Sequence, residues 1–400
     1  MPHSCATLRA HAPRLSDRIE RPLKASLARG AALLLGLAGC GTPPDGWLYA
    51  TRVGPTAAVV AWTGHAATLR CQDAPGRGVS MEVTRRWRGV STARLTELRP
   101  GTVQRCRLTT PGGARRTLRF RTAPAPGTRF RFAVVGDSGD LSPESFALAR
   151  RIRAGRPDFL IHVGDFAYPK GTLRQLDRRF FRPYRHVLER VPLYPTPGNH
   201  DYGSSSGYGM AFAPVADGRR AGKAYAFEWA GAHFVSVPSP NAAAPGTASW
   251  LAHELERLPR DAWRTVFLHE PPYSPGVKRV TPGLRATLAP MLQAAHVDLL
   301  LAGHDHLYAR SEPICDLVPD ARLVEIISGG GGADLGTFEE RRRANFPVVE
   351  SKTHYVRVTM SPDVIDVRAV GLDGKTLDRV RRRRGAGPCL ADGWPPPLER

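Results

Sequence analysis

Five apolar, β-rich runs in this chain all end in the same way, and that repetition constrains the fold more than any other feature. Each run ends in a loop that contains glycine or proline and side chains able to hold a metal. Residues 132–135 lead into Gly136-Asp137-Ser138-Gly139, and residues 159–163 into Gly164-Asp165-Phe166-Ala167-Tyr168. Residues 191–194 lead into Gly198-Asn199-His200-Asp201, and residues 265–268 into His269-Glu270-Pro271-Pro272-Tyr273. The last run, 297–301, leads into Gly303-His304-Asp305-His306. Helical stretches are expected between the runs, at 143–154, 173–190, 248–258 and 284–295. Strands alternating with helices predict a layered α/β architecture. In such sheets ligands converge at the carboxyl ends of the strands.

Those ends offer Asp137, Asp165, Tyr168, Asn199, His269, His304 and His306. Oxygen donors mixed with imidazoles suit iron, manganese or zinc rather than a thiolate site. Seven side chains are too many for one ion but fit two ions bridged by Asp165. His304 and His306 are two residues apart, so in an extended segment they point to one side. Four glycines after Ser328 lack the Lys and Ser/Thr spacing of a phosphate-binding loop and read as a turn.

The 400 residues exceed one typical domain. Six of the 57 basic residues are lysine and 51 arginine, the bias that GC-rich coding produces, so the net charge of +21 predicts a scattered basic surface. Such a surface would steer anionic substrates inward; nucleic acid is not an expected partner. A basic segment, the apolar run 31–38 and then Leu37-Ala38-Gly39-Cys40 resemble a bacterial lipoprotein signal. That implies lipidation of Cys40 and export to the cell envelope with a membrane anchor; a buried N-terminal helix is the alternative. Outside the cytoplasm thiols oxidise. The expected pairs are Cys71–Cys106 and Cys315–Cys389, with two free buried pairs as the alternative. Residues 44–123 alternate short β runs with turns, predicting a small β-sandwich. Leu98-Arg99-Pro100-Gly101-Thr102 resembles a fibronectin type III module, although Gln104 stands where that pattern usually has tyrosine. Residues 124–128 read as a linker, 129–380 as the main domain, and 381–400 as a basic, proline-rich tail.

The series Asp-x-Gly, Gly-Asp-x-x-Tyr, Gly-Asn-His, Val-x-x-His and Gly-His-x-His resembles the purple acid phosphatase branch of the calcineurin-like metallophosphoesterases. The resemblance implies a two-sheet β-sandwich flanked by helices and a dinuclear metal centre. It places Asp137, Tyr168 and His306 on Fe(III), and Asn199, His269 and His304 on divalent Fe, Zn or Mn, with Asp165 between them. Most relatives in the wider family carry Asp-x-His in the first motif. Here Gly139 stands at that position, and the resemblance implies that Tyr168 supplies the missing ligand. The implied reaction is hydrolysis of phosphate monoesters, on phosphorylated small molecules, by a metal-activated hydroxide. His200 would contact substrate phosphate or protonate the leaving oxygen. A phosphodiesterase on the same scaffold and a non-catalytic cell-surface binding protein are the alternatives.

Overall fold

A computed structural model describes residues 46–384, apart from 64–66, 75, 86–89, 204–205 and 216–223, together with Cys389. The signal-peptide reading and Cys40 lie outside the described residues.

Seven strands come first: β1 (Leu48–Thr51), β2 (Ala58–Thr63), β3 (Thr68–Asp73), β4 (Ser80–Arg85), β5 (Val90–Thr96), β6 (Val103–Thr109) and β7 (Arg115–Arg121). They form two sheets ordered β1-β2-β5-β4 and β3-β6-β7, every pairing antiparallel. Period-two alternation sends Leu69, Cys106, Leu108, Leu118 and Phe120 into the space between the sheets. Cys71 and Cys106 face each other across β3 and β6 and are disulfide-bonded. The corner with Gln104 is held by threonines: the Thr122 hydroxyl donates to the Arg99 carbonyl at 2.6 Å, and the Gln104 amide to Thr102 at 2.9 Å.

The second region runs β8 (Phe130–Val135), α1 (Pro143–Ala154), β9 (Phe159–His162), α2 (Leu173–Leu176), α3 (Arg182–Leu188), β10 (Leu193–Pro195), α4 (Tyr208–Ala211), β11 (Tyr225–Trp229) and β12 (Ala232–Ser236). It continues through α5 (Pro245–Glu256), β13 (Arg264–Phe267), α6 (Leu284–Ala294), β14 (Leu299–Ala302), β15 (Tyr308–Arg310) and β16 (Val324–Ser328). It closes with β17 (Val348–Glu350), β18 (His354–Met360), β19 (Val364–Gly371) and β20 (Thr376–Arg383). Two sheets result, β10-β9-β8-β18-β19-β20 and β11-β12-β13-β14-β16-β15-β17. The apolar core between them includes Phe132 stacked on Phe159 at 4.9 Å and Phe234 edge-on to both. Leu148, Ile152 and Tyr184 of α1 and α3 cover the outer face of the first sheet. Leu251, Leu255, Leu288 and Leu292 of α5 and α6 cover that of the second. In the first sheet β8, β9 and β10 are parallel neighbours, and in the second β12, β13, β14 and β16 are. Their carboxyl ends therefore open on one side, and every donor loop emerges there.

Three expectations change. The helix expected over 173–190 is interrupted by a π-helical turn at Asp177–Phe181. Pro183 has no N–H and its ring crowds the preceding turn, and widening the coil to i→i+5 bonding, with Arg182 N–H donating to the Asp177 carbonyl, accommodates it. Arg381–Arg383 do not belong to a tail. They complete edge strand β20, whose Arg382 guanidinium donates to the Asp298 carbonyl at 2.7 Å. The 124–128 segment is fixed to the turn between β11 and β12 by Gly127 N–H donating to the Ala230 carbonyl at 3.1 Å.

Candidate metal centre

Asp137 follows β8, Asp165 follows β9, Asn199 follows β10, His269 follows β13, and His304 and His306 follow β14. The loops bring all seven sequence-derived donors together in two adjacent groups. In the first, the Tyr168 hydroxyl donates to Asp137 Oδ1 at 3.2 Å and lies 3.1 Å from His306 Nε2, which is 3.3 Å from Asp137 Oδ1. In the second, Asn199 Oδ1 is 3.0 Å from both His269 Nε2 and His304 Nδ1. Asp165 adjoins both, with Oδ2 3.5 Å from His269 Nε2 and its charge acting on the Tyr168 phenol. One donor atom each from Asp137, Asp165 and His269 lie within 4.8 Å of one another.

The imidazoles are aimed by the backbone. His269 Nδ1–H donates to the Val163 carbonyl at 2.8 Å, His304 Nε2–H to Arg279 at 3.0 Å, and His306 Nδ1–H to Asp334 at 2.6 Å. A carbonyl can only accept, so in each neutral ring the nitrogen facing the cluster carries the lone pair. This is how metal-binding histidines are oriented.

The electrostatics ask for positive charge. Burial alone would raise the Asp137 and Asp165 carboxyls, but His269, with His306 beside Asp137 and His200 beside Asp165, holds both below the usual range. Burial disfavours a charged His269 ring, yet Asp165 and Asp137 lift its pKa to about 10. Burial, helped by His269 and Lys278, pushes His304 down to about 3, leaving a neutral donor. Burial and then Asp137 and Asp165 raise the Tyr168 phenol well above its ordinary value. Two buried carboxylates, three aimed imidazoles, an amide oxygen and a phenol fit divalent or trivalent metal ions. Cavities of about 350 Å³ between α5 and α6 and about 290 Å³ beside Trp47 contain none of these donors.

The loops accept strain to reach this geometry. Asp137, Asp165 and His304 have φ of 58°, 55° and 67°, the left-handed region that non-glycine residues seldom occupy and that concentrates at functional sites. Gly139 and Tyr168 are coupled sterically. A β-carbon at 139 would fall on the Ala167 backbone, and Tyr168 N–H donates to the Gly139 carbonyl at 3.1 Å. The loop carrying Tyr168 comes this close only because position 139 has no side chain.

Asp201, Asp305 and Lys278, whose roles were not legible in the sequence, support the donor loops alongside residues that were singled out there. The Asp201 carboxylate accepts from Asp165 N–H at 2.8 Å, Gly198 N–H at 2.9 Å and Phe166 N–H at 3.2 Å, so it joins two donor loops. Burial, with Asp165 adding, raises it to about 8. Asp305 does similar work, accepting from the Ser274 hydroxyl at 2.5 Å and Lys278 N–H at 3.3 Å. Lys278 is half-buried, and its charge bears on both His304 and His306. The run Gly329–Gly332 is packed backbone to backbone against the Asp137 and Asp305 loops, where β-carbons at 329 and 331 would strike carbonyl oxygens. His200 is half-buried beside Tyr168, ring centroids 4.8 Å apart, and its Nδ1–H donates to the Pro169 carbonyl at 2.8 Å. Tyr273 bonds to Asp316 at 2.9 Å, in the packing behind the loop. Tyr308 and Arg310 both reach Asp378 at 2.7 Å and tie β15 to β20. Cys315 and Cys389 are disulfide-bonded.

Residues 130–308 match the family model described as Calcineurin-like phosphoesterase. Purple acid phosphatase 21 of Arabidopsis thaliana is 28% identical over 256 residues, covering 60% of this chain and 58% of that protein. Acid phosphatase type 7 of Mus musculus is 29% identical over 262 residues, covering 58% of this chain and 59% of that protein. The chain thus spans under two thirds of the curated relatives it matches. A solved purple acid phosphatase from yellow lupin (Lupinus luteus) seeds shares the fold, with TM-score 0.71 at 19% identity, covering 84% of this chain and 73% of that one. Matched residues and fold together show that the chain carries a calcineurin-like metallophosphoesterase domain whose homologues include purple acid phosphatases.

Proposed function

We propose that this chain hydrolyses phosphate monoesters at a dinuclear metal centre. The observation that carries the reading is the division of seven donors into two three-residue groups joined by Asp165. Asp137, Tyr168 and His306 would hold Fe(III), for which a phenolate is a strong ligand. Asn199, His269 and His304 would hold divalent Fe, Zn or Mn, and Asp165 would touch both. Bound ions supply Lewis acidity that acidifies water and neutralises phosphoryl charge.

The protein's own groups do the rest. Lys278, beside the histidine pair, attracts the phosphate dianion. His200 has Nδ1 committed to Pro169, so Nε2 is the nitrogen left to meet a phosphate oxygen or to give a proton to the leaving group. Asp201 keeps the Asp165 and Gly198 loops in register through its three backbone hydrogen bonds. Lipidation at Cys40 would place the enzyme on the outer side of a bacterial membrane, and the leading β-sandwich would act as a fibronectin type III-like module.

The test is turnover of an aryl phosphate monoester and the matching diester by the metal-reconstituted chain. Monoester preference supports the reading, and diester preference favours the phosphodiesterase alternative. Hydrolysis of neither leaves the surface-binding alternative. His200→Ala should lower turnover about 100-fold while metal content stays full; loss of metal instead would make His200 structural.

A further inference from the structure

The arginine content expected to scatter over the surface is in part gathered on one sheet. In β3, β6 and β7, alternation turns Arg70, Arg105, Arg107, Arg115, Arg119 and Arg121 outward. No outward position of the three strands carries an acid. Register places Arg70 directly opposite Arg107 and Arg105 directly opposite Arg119, a like-charge arrangement that destabilises a sheet unless something offsets it. Among the described residues none of the six forms an ion pair. The face runs into a groove of about 410 Å³ that adds Arg185 and Arg190. Its one acid, Glu189, is already bonded to Arg116 and Arg185.

We propose that this arginine face binds the anionic phospholipid headgroups of a membrane. The inference rests on the lipid-anchor reading for its choice of polyanion. Arg116, on the same sheet, donates to the Gly46 carbonyl. Gly46 lies six residues after Cys40, and six extended residues reach about 20 Å. A lipidated Cys40 therefore keeps the sheet within reach of the bilayer surface. Each arginine brought to such a surface is worth roughly a fivefold gain in affinity.

The test uses the full chain with Cys40→Ser, so that binding cannot come from a lipid, against phosphatidylglycerol and phosphatidylcholine vesicles. Mass analysis of Cys40 in the parent tests the anchor separately. The expected result is binding to the anionic vesicles only, weakening with salt, and reduced roughly tenfold or more by R70Q/R105Q/R107Q/R119Q. The same variant should melt no lower than its parent at low salt, because two opposed like-charge pairs are removed. Equal binding to both vesicle types overturns the proposal, as does undiminished binding by a folded variant. Binding to DNA with no binding to vesicles overturns the membrane assignment. Should the variant unfold, the parent's own preference between the two vesicle types still decides.

Discussion

In the metal-free chain the Asp137 and Asp165 carboxylates draw a proton onto the neighbouring His269 ring, which marks where cationic charge belongs. With its pKa lifted to about 10 by those carboxylates, His269 is protonated at pH 7.5. The Tyr168 phenol, raised by burial and the same two acids, is protonated as well. Coordination needs the neutral imidazole and the phenolate, so metal binding must expel protons. Adding metal to the apo chain at pH 7.5 should release about one proton from each residue, read with an indicator dye in weak buffer. Absence of release would contradict these two ligands. The donors were legible from sequence because each follows closely on an apolar run, with glycine or proline beside it in the same loop, so strand end and ligand type coincide. Lys278 and Asp201 were not. Lys278 sits in a loop without periodicity, and the role of Asp201 lies in three backbone contacts that only the folded loops create.

At the level of elements, β1 is the joint between the two regions, and its four residues were too short a run to stand out. Trp47, just before it, stacks on Phe181 with centroids 4.1 Å apart and donates from Nε1 to Asp177 at 3.2 Å. Tyr49 donates to the Ala211 carbonyl at 2.6 Å, and Thr51 to Leu193 at 2.8 Å. Trp47 is 2% exposed, so Trp47→Ala should cost about 3 kcal/mol in urea unfolding, and the Asp177–Phe181 turn, uncovered by the loss of the indole, should become protease-sensitive. A loss below about 1 kcal/mol would mean the sandwich is only loosely joined. The principal strands and most helices could be read from apolar runs and their punctuation. The π-turn could not, since Pro183 deforms a helix whose apolar pattern continues through it. Strand β20 was hidden because an edge strand exposes one side, and its arginines read as solvated.

At the scale of the whole molecule, buried titratable groups oppose one another across pH. His354 is fully buried, and burial lowers its pKa to about 4. Its contribution to stability is complete above the unfolded value near 6.5 and is lost as pH falls towards 4, because the unfolded chain takes up a proton that the folded chain refuses. Asp201 and Glu325, raised chiefly by burial, are protonated in the fold and act in the opposite sense as pH rises above the carboxylate range. The informative quantity is therefore a difference. Between pH 6.5 and 4.5 the unfolding free energy of apo His354→Gln should gain on the parent by up to about 1.4 kcal/mol per pH unit. Parallel pH profiles would contradict the burial argument.

The central claim is that Tyr168 and Asp137 share an Fe(III) beside a second metal. Its most direct test is the visible absorption spectrum and metal content of the purified chain and of Tyr168→Phe. A Tyr168–Fe(III) centre should give a purple charge-transfer band with about two metals per chain, bleached in the variant. A colourless protein with two other metals, or a band that survives the substitution, would contradict the Tyr168–Fe(III) assignment. A chain that takes up no metal after reconstitution would contradict the metal centre itself.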